Sequence, residues 1–249
     1  MPYEIYNEDC LEAMKRIESG SVDAIICDPP YGITDCAFDV RIPFEPMWEQ
    51  FKRVTKKNAA ICLFSQMPFG AELIMSNRKM FRYEWVWEKS VPVGFFNANK
   101  MPLRCHENIL VFYRQLPTYN PQFRKGKSYA KRAIAGLHKN YREVKEKFRS
   151  ANDGEHYYPR DTIYFHSTVG QGERFHPQQK PVDLLEYLIK TYTDEGETVL
   201  DATMGSGSTG VAAINTGRKF IGFETETKFY DIAKKRIDEA LAKKQQELF

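Results

Sequence analysis

Asp28-Pro29-Pro30-Tyr31, directly after the apolar run Val22–Cys27, gathers a carboxylate, a proline carbonyl and an aromatic ring at the end of a short strand. Together they suit a flat ring bearing an NH2 group. The Asp28 carboxylate and the Pro29 carbonyl can each accept one amino hydrogen, Pro30 stiffens the turn, and Tyr31 offers a stacking face. An isolated match of this kind also fits a rigid turn after a strand. The reading as a nucleobase pocket therefore depends on the rest of the chain.

A second cluster of chemistry-bearing residues lies near the C-terminus. A strand ends at Asp201, Gly205-Ser206-Gly207 form a turn that lets backbone approach a ligand closely, and a helix starting near Ser208 presents its N-terminal NH groups. Glu224 ends the next strand, where an acid can accept hydrogen bonds from both hydroxyls of a ribose. Gly205, Gly207 and Gly210 also fit the Gly-x-Gly-x-x-Gly dinucleotide fingerprint, which makes a nicotinamide-dependent oxidoreductase a competing expectation. Two features weigh against it. The fingerprint does not open the chain, and it explains neither the Asp28 tetrapeptide nor the basic segment described next.

Residues 114–149 carry eleven Lys or Arg against Glu143 and Glu146, although the whole 249-residue chain has a net charge of only +3. Tyr119, Phe123, Tyr129, Tyr141 and Phe148 are interleaved with that charge, a composition suited to phosphates and bases. Arg124, Lys125, Lys127, Lys131 and Arg132 are the candidate DNA contacts; the alternative is a solvated basic insertion. The five cysteines form no Cys-x-x-Cys pair and sit mostly in apolar runs. They read as reduced thiols without a zinc site, in a cytoplasmic setting. The polar, acidic N-terminus does not resemble a signal peptide, and no apolar stretch has the length of a membrane span.

These residues need a scaffold, and the chain's periodicity supplies one. Strand-like runs recur at residues 22–28, 59–65, 83–88, 108–113, 198–201 and 219–223, with helical patterns between several of them. Pro181 opens a helix with Leu185, Leu188, Ile189 and Tyr192 on one face, and another helix runs from about Lys228 to the C-terminus. The expected fold is α/β: a Rossmann-like, mostly parallel twisted sheet with helices on both faces. Residues 114–172 break the rhythm and form the expected target-recognition insertion, leaving 1–113 as a catalytic half and 173–249 as a cofactor-binding half. Trp48, Trp85 and Trp87 are expected in or near the core, His106 and Glu107 as structural residues opening a strand, and residues 31–40 as a loop over the base or an ordinary surface loop.

The order of these motifs carries a resemblance. Asp28-Pro29-Pro30-Tyr31, then a variable basic region, then Arg174-Phe175-His176-Pro177-Gln178-Gln179-Lys180-Pro181, then Asp201 with Gly205-Ser206-Gly207, resembles the β-class S-adenosylmethionine-dependent DNA amino-methyltransferases. In that class the catalytic motif precedes the cofactor motif. Asn7-Glu8-Asp9-Cys10-Leu11 is similar to the family's N-terminal cofactor segment, and Trp87-Glu88-Lys89 and Arg104-Cys105-His106-Glu107 to its middle strands. The chain departs from the pattern in two places. Ala202-Thr203 stand where the family commonly has Pro-Phe, and Gln178 stands where it commonly has Thr. An aromatic that usually packs near the cofactor is thus absent from this motif.

The resemblance implies S-adenosylmethionine as cofactor, double-stranded DNA as substrate, and no metal. It assigns catalysis to Asp28, Pro29, Pro30 and Tyr31. Cofactor contacts fall on Asp9, Cys10, Asp28, Pro30, His176, Gln179, Lys180, Pro181, Asp201, Thr203, Gly205, Ser206, Gly207 and Glu224. A homodimer and a restriction endonuclease acting in the same system are compatible with it. The chain contains no Pro-Cys dipeptide, which disfavours cytosine ring-carbon methylation through a cysteine nucleophile. The target base must be flipped out of the duplex, and Asp at the motif's first position is associated with adenine more than with cytosine at N4. The expected product is N6-methyladenine. N4-cytosine methylation is the nearest alternative, and a non-catalytic DNA-binding protein on the same fold a further one.

Overall fold

The computed structural model describes residues 2–33, 39–125, 156–168, 175, 176 and 178–246. Residues 1–120 and 161–249 make one compact unit, and residues 121–160 a second.

In the larger unit, β1 (Tyr3–Tyr6) leads to α1 (Cys10–Met14), β2 (Val22–Cys27), α2 (Phe44–Val54), β3 (Thr55–Ser65) and α3 (Phe69–Ser76). The hairpin of β4 (Phe81–Val93) and β5 (Arg104–Phe112) follows, its tip holding a short 3-10 turn at Phe95–Asn97. The small unit contains β6 (Arg124–Lys125) and β7 (His156–Tyr157), paired antiparallel. The chain then returns through β8 (Thr162–Phe165), α4 (Val182–Tyr192), β9 (Thr198–Asp201), α5 (Ser208–Asn215), β10 (Lys219–Phe223) and α6 (Thr227–Gln246).

The main sheet has the order β1-β10-β9-β2-β3-β5-β4-β8. Only β5 runs antiparallel to the others. Alternation along the strands sends Ile26, Cys62, Phe64, Ile109 and Val199 to one face, where they pack with α4, α5 and α6. Ile25, Ile61, Leu63, Leu110 and Leu200 face α1, α2 and α3 on the other side. Both faces are covered, which is why the central strands read as continuous apolar runs without alternation. From β2 the chain proceeds outward to β3, and from β9 it proceeds the opposite way to β10. The strand order therefore reverses between β2 and β9, and a crevice opens beyond their carboxyl ends, where open α/β sheets bind ligands.

Strands β9 and β10 have the limits the sequence indicates, and Trp48, Trp85 and Trp87 are each buried. Strand β3 starts earlier than its apolar pattern because Lys56, Lys57 and Asn58 are exposed and the ladder shifts register between Val22 and Ala24. Polar β1 and β8 escape periodicity because each pairs on one side only. Strand β8 comes from the stretch expected to be an insertion, yet it is the edge of the main sheet. The helix after Pro181 forms with that residue as its N-cap, and Leu185, Leu188, Ile189 and Tyr192 are buried.

Two glycines of the C-terminal turn answer to packing. Gly207 has φ +78°, and a Cβ there would lie 2.8 Å from Ala233 Cβ and 2.9 Å from Ala233 Cα. At Gly210 a Cβ would strike the Ile237 side chain. These glycines let α5 lie directly against α6. Gly207→Ala adds left-handed strain and a backbone clash at once, so urea unfolding should show a loss of about 3 kcal/mol or more. A loss under about 1 kcal/mol would mean that the two helices separate freely.

Candidate active site

Asp28, at the carboxyl end of β2, has both carboxylate oxygens engaged. The Tyr31 hydroxyl donates to Oδ1 at 2.8 Å, and the Lys180 ammonium, from the segment before α4, pairs with Oδ2. Lys180 Nζ also stands 3.5 Å from Glu107 Oε2 on β5 and 5.1 Å from the centroid of the Phe64 ring on β3. Glu107 Oε1 pairs with Lys89 of β4 and accepts from Gln66 Nε2 at 3.1 Å, while Gln66 Oε1 accepts from Arg104 at 2.8 Å. Four charges thus alternate along one edge of the sheet, where β2 and β4 run toward their carboxyl ends and antiparallel β5 begins.

Burial raises the Asp28 carboxyl above the ordinary range, opposed by Lys180. Burial pushes Glu107 the same way, but Lys180 and Lys89 outweigh it and hold Glu107 below its usual value. Lys180 is itself raised: its two carboxylate neighbours more than offset the cost of burying the ammonium. Glu107 is therefore no ordinary strand-opening residue, and His106 beside it is exposed. Sequence periodicity concealed Glu107, because a single acid at a strand end reads as solvated. The signal that could have exposed it was a set of charges at the ends of several neighbouring strands.

The stacking role expected of Tyr31 meets a constraint. Its ring already stacks on Phe69, with centroids 4.9 Å apart, so one face is covered. Pro29 is buried. The backbone after the tetrapeptide is pinned: Asp39 accepts from Gly32 N at 2.8 Å and Ile33 N at 2.9 Å, and Arg41 Nε donates to the Tyr31 carbonyl at 2.6 Å. The middle of the expected loop, residues 34–38, lies outside the described residues.

A cavity of about 480 Å³ runs along the carboxyl ends of β1, β2, β9 and β10. Asp9, Cys10, Asp28, Pro30, His176, Gln179, Lys180, Asp201, Thr203, Gly205, Ser206 and Glu224 all line it. Pro181 and Gly207 do not, being occupied by the N-cap of α4 and the α5–α6 contact. Pro177 and Arg174 lie outside the described residues. Phe229 of α6 adds an aromatic that the motif lacks: its ring meets His176 edge-on, with centroids 4.3 Å apart, and both line the cavity.

The acids of this cavity are held in different ways. Asp9 caps α1, its Oδ1 accepting from Leu11 N and Glu12 N. Asp201 accepts from Thr203 N at 3.1 Å and from the Thr209 hydroxyl at 2.6 Å. Its carboxylate therefore shapes the turn from beneath. Burial raises Asp201 to about 6 against those hydrogen bonds, and burial likewise raises Glu224, whose Oε1 accepts from Glu226 N. Burial pushes the Cys10 thiol up to about 12 and the Cys27 thiol well above its ordinary value, so neither is a nucleophile. Cys10, Cys27, Cys62 and Cys105 are free.

In the small unit Arg124 and Lys125 are exposed on β6, and the rings of Phe123 and Tyr158 lie 5.1 Å apart. Lys127, Lys131 and Arg132 lie outside the described residues. No described helix is long and apolar enough to cross a membrane.

A three-layer α/β sheet with a ligand-sized cavity at its switch point, acids on neighbouring strand ends and a glycine turn between them, defines a nucleotide-binding α/β protein. The comparisons narrow this class. Residues 22–235 match the family model described as DNA methylase, of the N6 and N4 methyltransferases, and the chain belongs to that family. The type II methyltransferase M.HpaI of Haemophilus parainfluenzae is 27% identical over 251 residues, covering 96% of this chain and 75% of that protein. M.HinfI of Haemophilus influenzae is 26% identical, covering 94% and 68%. The solved M1.HpyAVI–SAM complex superposes with a TM-score of 0.66 at 26% identity, covering 95% of this chain and 99% of that one. The cytosine-N4-specific PvuII DNA methyltransferase shares the fold, with a TM-score of 0.66 at 14% identity and coverage of 95% and 93%. The chain is therefore a DNA methyltransferase, and the oxidoreductase expectation is overturned.

The raised Asp201 carboxyl has a consequence for stability. In the unfolded chain it loses its proton near 3.8, in the folded protein near 6. The folded state thus binds the extra proton between these values, so its contribution is full below about pH 4 and is lost as pH rises through 6. The unfolding free energy of the parent relative to Asp201→Asn should fall by about 3 kcal/mol from pH 4 to pH 7. A flat difference in urea titrations across that window would show Asp201 to be solvated.

Proposed function

We propose that this chain transfers the methyl group of S-adenosylmethionine directly to the exocyclic amino group of an adenine flipped out of double-stranded DNA. The observation that carries this reading is the shared cavity: Asp28 and Lys180 line the same space as Asp9, Asp201, Gly205 and Glu224. The donor set suits the cofactor. Glu224 and Asp9 offer acceptors for ribose hydroxyls, Gly205 leaves room for close approach, with His176 no nearer than 3.9 Å to an added Cβ, and Phe229 and His176 give an apolar wall. When bound, S-adenosylmethionine supplies an electrophilic methyl on a sulfonium centre.

The protein's own task is to present a poor nucleophile. An exocyclic amino lone pair is conjugated with the ring, and hydrogen bonds from its two N–H groups to Asp28 and the Pro29 carbonyl favour a more tetrahedral nitrogen. The lone pair is then aimed without any covalent intermediate, so catalysis is orientation and electrostatics. Once the nitrogen carries four bonds it must shed a proton, and the raised Asp28 carboxyl is placed to hold it. The open face of Tyr31 takes the flipped base. Residues 121–160, within the expected recognition segment 114–172, are assigned to DNA contact through Arg124, Lys125, Lys127, Lys131 and Arg132. The cell compartment proposed is the cytoplasm. Adenine is preferred because the motif opens with Asp28, which in the family resemblance goes with adenine.

Unmodified genomic DNA incubated with the chain and labelled S-adenosylmethionine, then digested and resolved by mass spectrometry, should yield methylated deoxyadenosine. Methylated deoxycytidine alone would transfer the reading to N4-cytosine and leave the mechanism standing. Asp28→Ala should lower the single-turnover rate by about 10³-fold or more with the fold intact. A rate within a few-fold of the parent would remove Asp28 from catalysis.

Replacing Arg124, Lys125, Lys127, Lys131 and Arg132 together by Gln should weaken DNA binding and flatten its salt dependence by up to about 4.5 in the log–log slope. An unchanged slope would return this segment to a solvated insertion.

A further inference from the structure

The ion pairs beyond Asp28 pose a physical question that the transfer mechanism leaves open. Lys89, Glu107 and Lys180 have side chains between 8% and 11% exposed. Buried ion pairs seldom stabilise a fold more than apolar side chains of the same volume would. Stability alone does not account for this chain of charges. Glu107 does not line the cavity, whereas Lys180 and Asp28 do. Glu107 therefore acts on Asp28 across the site wall, through the Lys180 they share and through its own charge.

Lys180 arches over the Phe64 ring on β3 and reaches a carboxylate on either side, Asp28 on β2 and Glu107 on β5. Glu107 Oε2 accepts no hydrogen bond within geometric limits among the described residues, and Lys180 Nζ at 3.5 Å is the cation that faces it. An ammonium shared between two carboxylates neutralises each of them incompletely. If Lys180 belonged to Asp28 alone, the Asp28 carboxylate would be a weaker acceptor for the amino hydrogens of a base.

We propose that Glu107 is a positioning residue for methyl transfer: it divides the Lys180 charge with Asp28, while Lys89 sets how strongly it does so. This rests on the reading of Asp28 as the amino-group acceptor. The chain makes Lys89 and Glu107 act with opposite signs on one carboxylate. Removing the Glu107 charge takes a like charge from the neighbourhood of Asp28 and leaves Lys180 to it. Removing Lys89 leaves Glu107 less neutralised and draws Lys180 away from Asp28.

The remaining ionisable groups facing this cluster are few. Cys27 ends β2 next to Asp28, Tyr31 follows it by three residues, Asp201 approaches it from β9, and Arg104 reaches Glu107 through Gln66. Asp201, raised by burial to about 6, touches neither Glu107 nor Lys89 and is common to the parent and every variant.

The test is the single-turnover rate of methyl transfer to unmodified genomic DNA, measured from pH 5 to 9 for the parent, Glu107→Gln, Glu107→Asp and Lys89→Met. In Glu107→Gln the plateau rate should fall about tenfold, the cofactor KM should stay within about threefold, and the acid limb should move down by about half a pH unit or more. In Lys89→Met the limb should move up, and in Glu107→Asp, which keeps the charge, it should stay with the parent. Should Glu107→Gln not fold, the upward shift in Lys89→Met and the unmoved limb in Glu107→Asp still decide. Limbs that coincide in every folded variant, with Asp28→Asn inactive, overturn the positioning role and leave Asp28 catalytic. Parental activity in Asp28→Asn overturns the underlying reading itself.

Discussion

The ion pair between Lys180 and Asp28 joins residues 152 positions apart and closes the molecule's two halves over one cavity. Asp28 ends the strand that the N-terminal half contributes to the centre of the sheet, and Lys180 precedes the first helix of the C-terminal half. Because β2 and β9 are neighbours, this contact brings the tetrapeptide up against Asp201 and the glycine turn. A charge buried at that junction is costly unless paired, so within the closed site each of the two groups needs the other.

The same pairing alters how the tetrapeptide works. Read as a string, Asp28-Pro29-Pro30-Tyr31 offers an open carboxylate and an open ring. In the fold the carboxylate already receives Tyr31 and Lys180, and the ring already rests on Phe69. An oxygen with two lone-pair directions can still accept an amino hydrogen beside an existing donor, and a ring with one covered face can still stack on the other. In the proposed reaction both existing partners hold the groups still before a base arrives. Preorganisation of this kind is what a reaction resting on orientation requires.

The sheet and the cavity were legible because apolar period and glycine placement are local signals. Val22–Cys27 and Thr198–Asp201 announce buried central strands, and the twelve of fourteen expected cofactor positions that line the cavity follow motif order. Three things were not legible. Strands β1 and β8 pair along one edge, so their residues need no apolar alternation. Glu107 looks solvated in sequence because its cations lie 18 positions before it and over 70 after it. Phe229 sits on a polar, late helix, and only the packing of α6 beside His176 reveals it as cavity wall.

The glycine turn shows why one motif can point to two enzyme classes. Gly205, Gly207 and Gly210 have the spacing of a dinucleotide fingerprint, but their reasons for being glycine differ. Gly205 has a left-handed backbone, φ +51°, and faces the cavity, where among the described residues an added Cβ would meet the His176 ring at 3.9 Å. Gly207 and Gly210 face α6, where a Cβ would strike Ala233 and Ile237. Two of the three positions therefore report how tightly two helices pack, a demand that any strand–turn–helix unit with a close neighbour can impose. Chemical identity comes from what the turn is set beside. Here that is the carboxylate and proline carbonyl that follow β2 and the lysine before α4 that Asp28 shares with Glu107.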